Sequence, residues 1–129
     1  DYNDNNSIPV LTAGKSFVIG YTQESFGICN QLPVIIFDDF TTDSKYVDFP
    51  FKVKSSAMKI LHTRSMSLNL MYISYYMNIT RLTGDTHKRY WISEYSKLEI
   101  MLPPKEEQNK IVERVVNIFS VLDRIAEGL

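Results

Sequence analysis

The C-terminal part of the chain constrains the fold most, because its apolar residues repeat with the period of a coiled coil. Six of them are separated alternately by four and three residues, which puts them on one side of an α-helix. We call this row the C-terminal seam, and its members are Ile111, Val115, Ile118, Leu122, Ile125 and Leu129. A second apolar stripe beside it consists of Val112, Phe119 and Ala126. The spacing fits either an ordinary helix packed on its own domain or a helix that offers one stripe to a partner helix.

A junction before the seam specifies where this helix begins. The sequence at 102–108 is Leu-Pro-Pro-Lys-Glu-Glu-Gln. Proline is tolerated in the first turn of a helix because its missing N–H would have no helical partner there. Glu106 and Glu107 place negative charge at the positive end of the helix dipole. The sequence therefore predicts that the helix begins close to Pro104.

Most of the chain before the junction has the pattern of short strands. Runs of β-branched and aromatic residues are separated by Gly, Asn, Asp and Ser, and Pro50 favours an edge or a bulge in the fourth run. The predicted strands are 9–12, 17–21, 34–37, 46–53, 58–61 and 98–102. From Ser67, which suits an N-cap, the apolar period becomes helical. The expected helical stripe consists of Leu68, Tyr72, Tyr75 and Ile79, and aromatic residues at this spacing favour core packing over base stacking.

The expected fold class is therefore α+β: a single, mostly β domain with one internal helix and a protruding C-terminal helix of the coiled-coil type. With 129 residues, 44% of them apolar, the chain can bury one core. We predict a flexible polar lead-in at 1–7, a globular domain at 8–102 and the helical segment at 103–129. The polar start is unlike a signal peptide and no run of 18 apolar residues occurs, so the expected location is the cytoplasm, without membrane contact.

No combination of residues has the spacing of a catalytic, cofactor or metal site. The run Asp-Phe-Pro-Phe at 48–51 is one residue away from the Asp-Pro-Pro-Phe-like motif of amino methyltransferases, but the five isolated glycines offer no nucleotide-binding turn. Asp38 and Asp39 lack a following Glu-x-Lys, and such pairs more often bond the backbone of a turn. Cys29 has no second Cys or His close by, which favours a small core or loop residue. The sequence predicts a protein that is not an enzyme and needs no cofactor.

Positive charge is concentrated in the middle of the chain, although the net charge is −1. Residues 51–90 carry seven Lys or Arg against one acidic residue, Asp85. These side chains would form a cationic face if the fold gathers them, whereas scattered solvated side chains would give the same count. A glycine-led basic loop at 84–90 has the residue types that contact phosphates and base edges. Its candidate contact residues are Thr86, His87, Lys88 and Arg89.

Two earlier loops carry similar residue types. A loop at 39–46 combines hydroxyl groups, a cation and an aromatic ring, and another follows the first predicted strand. The candidates in the first are Thr41, Thr42, Lys45 and Tyr46, and those in the second are Lys15 and Tyr21, with Ser16 and Thr22 beside them. For every one of these residues, an equal alternative is a solvent-exposed loop side chain that makes no contact with DNA.

The junction and the segments before it resemble the target recognition domain of the specificity subunit of type I restriction-modification enzymes. The end of that domain is similar to 98–129, where a strand-like run precedes Pro-Pro-x-Glu-Glu-Gln and a heptad helix. Earlier parts of the domain are similar to Pro-Val-Leu-Thr-Ala-Gly-Lys at 9–15, to Gly-Tyr-Thr at 20–22, and to the runs at 35–42 and 45–51. The resemblance covers most of residues 8–129, and its segments follow one another in the expected order.

The resemblance implies a non-catalytic module that recognises double-stranded DNA, while methyltransferase and restriction subunits methylate adenine and cleave. It also implies that a full subunit holds two such domains a fixed distance apart through antiparallel helices, each domain recognising half of a two-part target. This chain carries one such domain, so a fragment, a split half and a truncated subunit all fit. A half would restore the pair by homodimerising through the C-terminal seam. The alternatives are a helix-mediated protein-interaction module and the specificity domain of a fused restriction-methylation enzyme.

Overall fold

The fold combines six short strands with two helices, in a computed structural model that describes residues 8–79, 95–97 and 99–128. The strands are β1 (Ile8–Leu11), β2 (Val18–Thr22), β3 (Val34–Asp38), β4 (Ser44–Val47), β5 (Lys52–Val53) and β6 (Met58–Leu61). The helices are α1 (Leu70–Ile79), a short 3-10 helix (Tyr95–Lys97) and α2 (Lys105–Glu127). The predicted α+β class is confirmed, and α2 begins directly after Pro104, as the junction predicts. Within the described ranges, neither helix has the length and apolarity needed to cross a membrane.

The strands form two three-stranded sheets. One has the order β2-β1-β5, with β1 antiparallel to β2 and parallel to β5; the other has the fully antiparallel order β4-β3-β6. The prediction of one strand over 46–53 is wrong, because β4 ends at Val47 in one sheet and β5 begins at Lys52 in the other. Pro50 lies in the break, where the chain changes sheets and a missing N–H removes no ladder hydrogen bond.

β3 is the centre of the molecule because both of its faces are covered. Successive strand residues point to opposite faces, so Val34 and Ile36 enter one core while Ile35 and Phe37 enter the other. The first core fills the space between the two sheets, and its other buried members are Leu11, Ala13, Val47 and Phe51. The second core lies between β3 and α1, and its other buried members are Leu70, Met77 and Tyr95.

The internal helix begins two residues later than predicted. Asn69, not Ser67, caps it: the Asn69 Oδ1 accepts hydrogen bonds from the N–H groups of Met71 at 3.0 Å and Tyr72 at 3.3 Å. The buried positions of α1 are Leu70, Ser74 and Met77, so the stripe at 68, 72, 75 and 79 is displaced from the face that packs on the sheet. Tyr72 and Tyr75 are half-buried and Ile79 is exposed.

The strand predicted at 98–102 is not formed in its described part. Residues 99–102 belong to neither sheet, and residue 98 lies outside the described ranges. The carbonyl oxygen of Met101 accepts a hydrogen bond of 2.7 Å from the Tyr72 hydroxyl instead of joining a strand ladder. Leu102 precedes Pro103, a position that sterically favours an extended backbone even without a neighbouring strand.

Candidate nucleic-acid interface

The turn between β3 and β4 is held in shape by its acidic residues. Asp38 Oδ1 accepts hydrogen bonds from the N–H groups of Phe40 at 2.8 Å and Thr41 at 3.1 Å, which confirms for Asp38 the prediction that the acidic pair bonds the backbone of a turn. Thr41 is exposed, and its hydroxyl donates to Asp43 Oδ2 at 3.0 Å. Thr42 is buried and has a φ of 65°, a conformation that is uncommon for a β-branched residue. The turn therefore presents Thr41 outward and turns Thr42 inward.

Asp39 fixes this turn to the connection between β5 and β6. Its N–H donates to the carbonyl oxygen of Ala57 at 2.9 Å, and its buried carboxylate lies 3.9 Å from the Lys59 ammonium. Val53, at the other end of the connection, pairs with Leu11, the last residue of β1. Residues 54–57 therefore run from the end of β1 to the β3–β4 turn, which places the β1–β2 turn and the β3–β4 turn at the same end of the domain.

The β1–β2 turn has a side-chain brace of its own. The Thr12 hydroxyl donates to the carbonyl oxygen of Ser16 at 2.9 Å and accepts from the N–H of Gly14 at 3.2 Å. Lys15 is exposed between them. This end of the domain thus carries an exposed cation from one turn and an exposed hydroxyl-bearing residue, Thr41, from the other, both on backbones held by local hydrogen bonds.

The remaining described candidates differ in how far they face solvent. Lys45 is exposed on β4, while Tyr46 is half-buried against the second core. Burial raises the pKa of the Tyr46 hydroxyl, and the negative charge of Asp48 raises it further. Tyr21 is half-buried on β2, where it pairs with Pro9. Of the predicted contact residues that the structure describes, Lys15, Thr41 and Lys45 are the exposed ones.

Four of the predicted contact residues, namely Thr86, His87, Lys88 and Arg89, lie outside the described ranges. The described residues on either side of 80–94 are both anchored near the β3–β4 turn. Before this stretch, the Ser44 hydroxyl donates to Asn78 Oδ1 at 3.4 Å; after it, the ring of Tyr95 lies 4.7 Å from that of Phe37. Ser44 and Phe37 face each other in the strand register, at the end where β3 enters the turn. The described residues that flank this stretch thus lie at the same end of the domain as Thr41.

The other described basic residues lie at different places. The Lys52 ammonium pairs with Glu24, which follows β2, and lies 3.8 Å from the centre of the Phe26 ring, whereas the Lys52 backbone is in register with Val10 of β1. The hydrogen bond from Lys52 lowers the pKa of the Glu24 carboxyl. Arg64 is exposed before α1. Within the described ranges, the excess positive charge of the middle segment is therefore spread over several parts of the domain.

A second structured site lies at the base of α2, around the fully buried side chain of Gln108. Gln108 Nε2 donates to the carbonyl oxygens of Ser67 at 2.9 Å and Pro103 at 2.8 Å, and Oε1 accepts from the N–H of Asn69 at 2.8 Å. Every donor of the amide is used, so one side chain joins the start of α2, the proline junction and the cap of α1. We call this set of contacts the Gln108 clamp.

Three further hydrogen bonds surround the Gln108 clamp. Asn69 Nδ2 donates to Asn109 Oδ1 at 2.8 Å, and Lys105 Nζ donates to the carbonyl oxygen of Met66 at 2.8 Å. The third is the bond between the Tyr72 hydroxyl and Met101 described above. The base of α2 is therefore fixed to the start of α1 by directional polar contacts rather than by apolar packing alone.

The C-terminal seam becomes more exposed along α2, from the start of the helix toward its C-terminal end. Ile111 and Val115 are half-buried near the base, whereas the side chains of Ile118, Leu122 and Ile125 are each more than half exposed. Phe119 contacts Tyr75 of α1, with ring centres 6.2 Å apart. The side chain of Leu129 lies outside the described residues. An apolar row this exposed is typical of a surface that binds another helix.

A curated protein of Escherichia coli, the type I restriction enzyme EcoR124I/EcoR124II specificity subunit, is 45% identical to the chain. The alignment covers 96% of the chain and 32% of the relative. The chain is homologous to a segment of a type I restriction enzyme specificity subunit. It spans about a third of the length of this curated relative. No protein-family model matches the chain.

The homology confirms the family resemblance that the junction and the preceding runs indicate. What sequence analysis missed is the role of Gln108. Gln108 lies three residues before Ile111, so it occupies the next position of the C-terminal seam. A polar residue at a seam position is the available signal, because such residues are retained where a specific register or contact is needed.

Proposed function

We propose that this chain is a target recognition domain with the start of its spacer helix, and that it recognises DNA sequence as the specificity component of a type I restriction-modification system. The domain itself is non-catalytic, and partner methyltransferase and restriction subunits methylate adenine and cleave. The whole assembly acts in the cytoplasm. The observation that carries the proposal is the 45% identity to a specificity subunit over 96% of the chain.

The geometry of the described residues supports DNA contact at one end of the domain. Exposed Lys15 and Thr41 lie on two braced turns at that end, and the described flanks of the basic loop attach there as well. Phosphate and base contacts need such cations and hydroxyls on loops whose backbones are positioned by a rigid scaffold. The α2 helix is a separate surface, because its exposed apolar face suits a partner helix rather than DNA.

A segment exchange tests this function directly. The homologous third of the Escherichia coli specificity subunit would be replaced by residues 8–128 of this chain, and the hybrid would be assembled with its methyltransferase subunits. We expect one half of the two-part methylation target to change and the other half to stay the same, because each half is recognised by one domain. Sequencing of methylated adenines in cells that express the hybrid measures the outcome.

The control is the unaltered specificity subunit assembled in the same cells. A hybrid that assembles and methylates the parental target in both halves would rule out a role in target recognition. That outcome would favour the alternative of a protein-interaction module, in which α2 binds a partner and the cations are only solvated surface. The fused restriction-methylation alternative also predicts a change in the recognised sequence, and it differs only in the flanking domains.

Charge reversal at Lys88 and Arg89 is expected to weaken DNA binding by the assembled hybrid in a salt-dependent way. Each lost phosphate contact should reduce the slope of log affinity against log salt by about 0.9. The measurement is a salt titration of duplex affinity. Reversal at Lys110 and Arg114, two exposed residues of α2, makes the same change in net charge away from the proposed surface. Equal loss in both double variants would mean that only total charge matters.

We also propose that the C-terminal seam pairs with a partner helix, which in a split half would be the seam of a second copy. Ile118→Glu combined with Leu122→Glu is expected to raise the dissociation constant of the pair at least about 100-fold, because two large apolar side chains would lose their burial. Sedimentation over a concentration series measures self-association. Asn117→Glu with Ser120→Glu adds the same charge on α2 beside the seam and should have a smaller effect. A wild-type chain that stays monomeric at high concentration would refute homodimerisation.

A further inference from the structure

The Gln108 clamp affects the orientation of α2 as well as local stability, because α2 is long and contacts the domain mainly near its start. α2 has 23 residues, so a rise of about 1.5 Å per residue makes it about 34 Å long. A tilt of about 10° at its base would move its far end by about 6 Å, which exceeds the rise of about 3.4 Å between neighbouring base pairs. A small change in the angle of α2 at its start thus displaces its far end by more than the distance between neighbouring base pairs.

The contacts between α1 and α2 indicate which residues set this angle. The two helices run in the same direction, since Asn69 bonds Asn109 near their starts and Tyr75 contacts Phe119 further along. The Tyr75–Phe119 contact is a single ring pair, and Phe119 stays 52% exposed. The Gln108 clamp, by contrast, consists of three part-buried hydrogen bonds made by a fully buried side chain, and their energies depend steeply on direction.

From this arrangement we propose that Gln108 is a positioning residue that sets the angle between the recognition domain and α2, and thereby the spacing between the two halves of the DNA target. The inference rests on the proposed function, because the helix separates two recognition domains only in a specificity subunit. Gln108 does not contact DNA in this proposal. It influences spacing by orienting α2, whereas the sequence recognised in each half-target depends on the residues that contact DNA.

The experiment uses the full-length hybrid specificity subunit, assembled with its methyltransferase subunits, and a DNA library in which the spacer between the half-targets varies in length. The readout is the ratio of methylation at the preferred spacer to methylation at spacers one base pair longer or shorter. Gln108→Leu is expected to lower this ratio about tenfold, since a directional hydrogen bond contributes up to about a factor of ten. The half-target sequences should not change.

Two further variants separate positioning from stability. Tyr72→Phe removes only the exposed hydrogen bond to the Met101 carbonyl at the base of α2, so the variant should fold and lower the ratio by a smaller factor. Val34→Ala opens a cavity in the first core, on the face of β3 opposite the one that packs against α1, and should reduce total methylation without changing the ratio. A shift in the ratio for Gln108→Leu and Tyr72→Phe but not for Val34→Ala would support the proposal.

Other outcomes overturn it. An unchanged ratio in Gln108→Leu and Tyr72→Phe, with or without loss of total methylation, would make the clamp a purely structural contact. An equal shift in Val34→Ala would mean that any loosening of the domain alters spacing. Failure of the wild-type segment to transfer its half-target would instead refute the proposed function. A transferred half-target with an unchanged spacer ratio in the variants would refute only the role of Gln108.

Discussion

Replacing Gln108 with leucine is expected to lower the free energy of unfolding by about 3 kcal/mol or more. The side chains are similar in size, but leucine would leave the Asn69 N–H without its acceptor and two carbonyl oxygens without their donor. Each buried polar group that loses its partner costs about 1–3 kcal/mol. The cost is high because Gln108 is 0% exposed and its three hydrogen bonds are part-buried, so water has restricted access to the groups that lose their partner. Denaturant unfolding of the wild-type and variant chains measures the difference.

The neighbouring residue provides a matched control for this variant. Asn109 also bonds Asn69, but its side chain is exposed, and alanine is a better helix former. Asn109→Ala should therefore change the free energy of unfolding by less than about 1 kcal/mol. Equal losses for the two variants would contradict the assignment of Gln108 as the centre of the contact between α1 and α2.

Replacing Phe51 with alanine is expected to cost about 3–5 kcal/mol, the range for a fully buried aromatic side chain. Phe51 is 0% exposed in the first core, and its backbone bonds Cys29 in both directions. It follows the point where the chain crosses from one sheet to the other, so its side chain contacts residues of both sheets. The measurement is again the free energy of unfolding, with the slope against denaturant checked for two-state behaviour.

Phe49 is the corresponding control two residues earlier. Its side chain is 37% exposed and contacts Phe17 edge to face, with ring centres 6.2 Å apart. Phe49→Ala removes less buried surface and should cost about 1 kcal/mol. A larger loss for Phe49 than for Phe51 would mean that the core between the sheets is not arranged as described.

The sequence located the strands from local chemistry and misjudged those that depend on distant neighbours. β1, β2, β3 and β6 lie within one residue of their predicted bounds, because β-branched runs and turn residues specify them locally. The predicted strand at 46–53 joins the last two residues of β4 to β5, since its partial alternation continues through Pro50 while its two ends pair in different sheets. The pattern of one segment carries no information about which neighbour it meets.

The candidate site shows the same difference between what local sequence predicts and what the folded chain decides. Residue type alone favours Thr41, Thr42 and Lys45 equally, yet the turn buries Thr42 and exposes Thr41, while Lys45 is exposed on β4. That difference follows from the positive φ of Thr42 and from the bonds of Asp38, which depend on the complete turn. The burial of Tyr46 likewise depends on α1, which packs over β4 from a distant part of the chain.

The C-terminal helix separates most clearly what the sequence determined from what the tertiary structure decided. Its start after Pro104 and its apolar period are local properties, fixed by a missing N–H, by Glu106 and Glu107 at the helix dipole, and by side-chain spacing. Its attachment is not local, because Gln108 bonds Asn69 and Ser67, which are 39 and 41 residues away along the chain. Periodicity specifies which face of a helix is apolar, whereas its direction depends on hydrogen-bond partners that only the folded chain brings together.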